Sequence, residues 1–155
     1  MRDTAKQLRQ AVYQCMAGQI GYPDPTYPED TILLKFYDEK KLVSVTEKIF
    51  ALLSTQQETL TDENDCTWIT RSSIDIEIYH KTGSEVSKDV IDDLSNAILV
   101  RLMPTPQTTN IIDPSNLQFC NHKVDSIISR NISLSETESV LEKIIRFSVQ
   151  IIQQT

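Results

Sequence analysis

Between positions 74 and 79 the chain alternates Ile74, Ile76 and Ile78 with Asp75, Glu77 and Tyr79. Successive side chains of a strand point to opposite faces, so this segment presents one apolar face and one polar face. An apolar strand face must be covered by a second layer, and the chain supplies one shortly afterwards. Val86, Val90, Ile91, Leu94, Ala97, Ile98 and Leu102 recur at the spacing of helix turns, while Asp89, Asp92, Asp93 and Asn96 fall on the other side. Ser84 is a suitable N-cap, Asp89 suits the positive end of the helix dipole, and Pro104 and Pro106 end the pattern. A two-faced strand followed by a one-faced helix defines the class as α+β.

The remaining segments fill in that frame. Leu8, Val12, Cys15 and Met16 make a second helical stripe, with Gly18 near its end where a left-handed residue is needed. Positions 21–28 hold three prolines and two tyrosines, Tyr22 and Tyr27, and read as a stiff irregular arm. It lies on its own domain or packs on a partner. Residues 32–37 and 42–45 read as a hairpin, with a short helix as the alternative. A buried strand is expected at 49–53, a polar loop at 59–65, and a strand beginning near Trp68 and Ile69. After a long loop at 104–118 come a strand over 119–134, a turn at 135–139 and a last strand. There Ile145, Phe147, Val149 and Ile151 alternate with Ile144, Arg146, Ser148 and Gln150. The expected fold is therefore one domain over 1–155. It has an antiparallel β-sheet of about four main strands packed against two amphipathic helices, with room for an extra hairpin.

Composition narrows the function. A chain of 155 residues with 39% hydrophobic content can build a core without staples. No apolar run reaches the roughly 20 residues of a membrane-spanning helix, and the first residues are polar, so a cytoplasmically made soluble protein is expected. The net charge of −7 and scattered Lys and Arg argue against a sequence-reading DNA binder. Cys15, Cys66 and Cys120 are odd in number and widely spaced, which reads as reduced thiols.

The residues of catalysis are thin. His80 and His122 are the two histidines, and Cys120 with His122 lacks further ligands at metal spacing. The acidic run Asp62-Glu63-Asn64-Asp65 lacks the ligand register and central glycine of a calcium loop. No phosphate-binding loop, dinucleotide fingerprint or nucleophile elbow occurs. Neither catalytic residues, nor a metal, nor a cofactor are expected.

In order, the stretches 49–54, 68–80, 83–98 and 143–151, preceded by the N-terminal helix, resemble the tail-terminator, or tail-completion, proteins of tailed bacteriophages. The likeness lies in element order and apolar pattern, with a helix opening Val86-x3-Val90-Ile91 and closing on Ala97-Ile98. The arm at 21–28 and the loop at 104–120 depart from the compact family pattern. The resemblance implies a virion structural protein made in the host cytoplasm. It forms a ring with itself, a hexamer or a dodecamer, between connector or portal-side proteins and the tail. Genomic DNA passes through the lumen without sequence-specific binding, and no membrane is involved. A closed ring needs two different complementary patches per protomer. Tyr22, Tyr27, Asp75, Glu77 and Tyr79 are the candidate subunit or partner contacts. Two other readings stand beside it: a small intracellular protein-binding adaptor or assembly chaperone, and a hydrolase or metal enzyme using Asp or His residues in a cleft.

Overall fold

The helical stripes bury where the periodicity places them. In the computed structural model, which describes residues 3–24, 27–37, 48–64, 66–82, 88–114, 116–133 and 135–154, helix α1 spans Ala5–Met16 and helix α2 spans Asp89–Leu102. Leu8, Val12 and Met16 of α1 and Ile98 and Leu102 of α2 are fully buried. Gly18 adopts φ +71°, the left-handed conformation that reverses the chain after α1. A Cβ there meets no neighbour, so Gly18→Ala costs only the backbone strain, about 1 kcal/mol, measurable by urea unfolding.

Seven strands lie among the described residues. They are β1 (Gly21–Pro23), β2 (Thr31–Leu33), β3 (Phe36–Tyr37), β4 (Ile49–Asn64), β5 (Thr67–Thr82), β6 (Gln118–Ser133) and β7 (Ser139–Gln154). β1 and β2 form a small antiparallel pair, and the other five make one sheet in the order β3-β4-β5-β7-β6. Two long hairpins, β4–β5 and β6–β7, are joined by antiparallel pairing of β5 with β7. α2 lies between the hairpins in sequence. α1 packs on β4 and β5, and α2 packs on β5 and β7, so both helices cover the same face of the sheet. That face carries Ile74, Ile76, Ile78, Ile145, Phe147, Val149 and Ile151, all at 0% exposure. Each such side chain contributes roughly 1.5–3 kcal/mol of transfer free energy.

Polar groups fix how α1 sits. Its N-cap, Thr4, makes no side-chain cap bond. The Glu58 carboxylate of β4 instead accepts from the Thr4 backbone N–H at 3.0 Å, and is also bonded to the Thr4 hydroxyl. Gln56 Nε2 donates to the Ala5 carbonyl at 2.7 Å, and Arg101 Nε of α2 donates to the Cys15 carbonyl at 3.0 Å. Carboxylates near a helix N-terminus are favoured by the dipole.

The α+β class holds, with two helices and a sheet whose four long strands are antiparallel. Three expectations need correction. The polar stretch 59–65 is not a loop up to Asn64, because β4 pairs with β5 as far as Asn64↔Thr67. Its side chains over 57–61 are exposed, so no apolar burial marks it as a strand in the sequence. β1 pairs with β2, and the expected hairpin of 32–37 with 42–45 falls in part on residues 42–45, which lie outside the described residues. β3 joins β4 in parallel, which makes the sheet mixed. The arm at 21–28 is partly strand, and Tyr22 is 9% exposed within the core cluster. Ser84 and Val86 of the expected helix also lie outside the described residues.

Candidate interaction surface

Asp75, Glu77 and Tyr79 share the face of β5 that points away from the helices, as their period of two requires. Register then places residues of β7 and β6 beside them. Asp75 is directly opposite Arg146, Glu77 opposite Ile144, and Tyr79 opposite Glu142. On the far side of β7, Ser126, Ile128 and Arg130 of β6 face the same three β7 positions. The result is a continuous patch over three strands.

Its polar groups are engaged with one another. Arg146 donates to both Asp75 oxygens, Nε to Oδ1 at 2.8 Å and an Nη to Oδ2 at 3.0 Å, the two-pronged geometry that suits a guanidinium and a carboxylate. The Asp75 side chain is only 6% exposed, whereas that of Arg146 is 44% exposed. The bond to Asp75 raises the Arg146 pKa above its ordinary value. Tyr79 donates its hydroxyl to Glu77 Oε2 at 2.8 Å and stacks on Phe50 at 5.2 Å. Burial first, then the bond to Glu77 and the charges of Glu77 and Glu142, push the Tyr79 phenol well above its usual range. Phe50 also meets Tyr37 edge-on at 6.2 Å and carries the Lys81 ammonium 5.4 Å from its ring centre.

Glu142 is the most strained charge of the patch. Its side chain is 8% exposed and its cationic neighbour, Arg130, lies at 3.9 Å. Burial, then the Glu77 charge, raise its pKa above the ordinary 4.5, against the opposing pull of Arg130 and Tyr79. A carboxyl whose folded pKa is raised favours the fold fully below 4.5, and loses that contribution as pH rises through the folded value. Glu142→Gln removes the charged form. The variant is therefore expected to melt above the wild type at neutral pH, with the gap closing as pH falls towards 4.5. Thermal melts across that range check it. A variant that melts lower at neutral pH contradicts the sign.

The five sequence-selected residues do not all meet. Asp75, Glu77 and Tyr79 lie together, but Asp75 is buried and paired rather than free for a partner. Tyr22 is corrected outright as an exposed contact, since it packs into the core. Tyr27 is 58% exposed in the turn between β1 and β2. Sequence reasoning missed Arg146, Glu142 and Arg130, which only register brings to the patch. It also missed the exposed isoleucines of β6, although adjacent Ile127-Ile128 in a strand signals apolar side chains on both faces.

The two histidines lie apart from this patch. His122 stacks on Phe147 at 6.1 Å, and burial holds both His80 and His122 below the ordinary imidazole value of 6.5. Among the described residues, no group of three His, Cys, Asp or Glu side chains is arranged to hold a metal ion. No described helix is long and apolar enough to cross a membrane. No protein-family model and no curated protein matches the chain.

Proposed function

We infer that this chain is a structural protein of a tailed-bacteriophage virion, a tail terminator or tail-completion protein that forms a ring at the head–tail junction. The observation that carries the reading is the element order. A helix, a long hairpin, a second helix and a second long hairpin build one sheet with both helices on one face. This is the order on which the resemblance to the tail-terminator family rests. Charge is compatible with DNA passage, since six copies at −7 each would carry roughly −42, and an acidic lumen repels phosphate and lets a duplex slide. Ring copies, connector-side proteins and tail proteins are the partners this reading requires.

The test is location. Tagged protein is expected in purified particles, mapped by cross-linking to the neck, and its deletion is expected to leave filled heads that fail to join functional tails. Recovery from infected-cell lysate but never from purified particles would remove the virion reading and leave an intracellular adaptor or assembly chaperone in its place.

A further inference from the structure

Among the described strands the sheet ends at β6 on one side, and the two halves of that edge differ. Register shifts at Cys120/Lys123 and Val124/Ser126 interrupt the first half, the kind of irregularity that protects an edge from unwanted pairing. From Ser126 to Ser133 the register with β7 is unbroken, and every residue from 127 to 133 is exposed. The apolar side chains there are Ile127 at 47%, Ile128 at 41% and Ile132 at 41%. Ile127 pairs with Ile145 on the helix side, while Ile128 pairs with Ile144 on the opposite face. A helix or a flat surface covers one face of a strand. A chain lying beside the edge covers both.

We propose that the regular half of β6 pairs antiparallel with the same segment of a second copy, about a two-fold axis at Ile128. The segment is its own complement, and this selects a second copy as the occupant. A two-fold axis perpendicular to a sheet joins two like edges in antiparallel sense and keeps like faces together, so directly opposite residues share a face. With the axis at Ile128, that side chain meets its own counterpart on the face away from the helices. Ile127 meets its counterpart diagonally on the helix side, within reach of a cross-strand neighbour. Charge follows the same symmetry. Arg130 falls opposite Ser126 of the second copy, and Asp125, the residue skipped in the register, lies next to Ser126. Both charges sit on the face away from the helices. Arg130 is opposite Glu142, and Asp125 pairs at 3.2 Å with Lys123, which is opposite Ser148. The Arg130 side chain is 57% exposed and reaches Glu142 at 3.9 Å, so its guanidinium keeps donors for a second carboxylate. By symmetry the Arg130–Asp125 contact forms twice. An axis at Arg130 would instead set two guanidiniums opposite one another, which repulsion disfavours.

The inference does not rest on the ring reading. A two-fold contact stops at two copies, and ring closure needs patches elsewhere on the protomer.

The experiment exchanges charge across the axis in the full chain. Arg130→Glu alone sets two carboxylates together at each end of the join, and Asp125→Lys alone sets two cations there. In sedimentation velocity, wild type is expected to hold an even number of copies, two where no other contact forms. Each variant alone is expected to fall to half that mass, its dissociation constant raised roughly tenfold or more. An equimolar mixture of the two is expected to regain the wild-type mass, because each end of the mixed pair again joins a carboxylate to a cation. Ile128→Lys sets two ammoniums together at the axis and should halve the mass with an unchanged thermal melt, since the position is 41% exposed. It decides the question by itself where a charge variant fails to fold. Wild type that is monomeric at every concentration overturns the join. So do variants that associate like wild type, and so does a mixture that stays apart although both members melt like wild type.

Discussion

Phe147→Ala is expected to lower the unfolding free energy by about 3–5 kcal/mol, the usual range for truncating a buried aromatic ring. Phe147 is at 0% exposure in β7, between β5 and β6, opposite Ile74 on one side and Val124 on the other. The helices close the layer above it, so little can collapse into the space left behind. His122 stacks on the same ring and would lose that contact too. Phe147→Leu keeps most of the volume and should cost far less, about 1 kcal/mol. Urea unfolding of both variants reads the difference. A loss below about 1 kcal/mol for Phe147→Ala would mean that this core tolerates a void, contrary to the dense packing of protein interiors.

Arg146→Ala comes next in size. It leaves the Asp75 carboxylate, 6% exposed in a central strand, without the cation that holds both its oxygens. Stranding a buried charge costs about 3–5 kcal/mol where both partners are enclosed. The Arg146 side chain is 44% exposed, so solvent screens the pair and reduces the expected loss to about 2 kcal/mol. The double variant Asp75→Ala/Arg146→Ala should recover part of that loss, because no unpaired charge remains inside. Arg146→Lys should fall between, since an ammonium cannot reproduce the two-pronged contact. A double variant less stable than the sum of the two singles would contradict the pairing.

Much of the architecture is visible in single segments. The buried positions of α1 and α2 fall on their 3.6-residue stripes, and Ile74, Ile76 and Ile78 bury on one face of β5 as alternation requires. The last strand behaves likewise through Ile145, Phe147, Val149 and Ile151. The second half of β4 is invisible to this reading because residues 57–61 are exposed and carry no apolar alternation. β1 with β2 was hidden by the prolines between them, and the parallel addition of β3 rests on two residue pairs. The interaction patch was half legible. Asp75, Glu77 and Tyr79 share a face by local rule, but their partners Arg146 and Glu142 stand more than sixty positions away in sequence.

Which residues of one element share a face follows from the chain alone, because strand and helix periods are properties of consecutive residues. Which strand lies beside which, how far a polar strand extends, and whether Asp75 faces water or Arg146 were decided by the tertiary structure. Those outcomes depend on hydrogen-bond and charge partners brought from distant segments. A period in one segment carries no information about its neighbour.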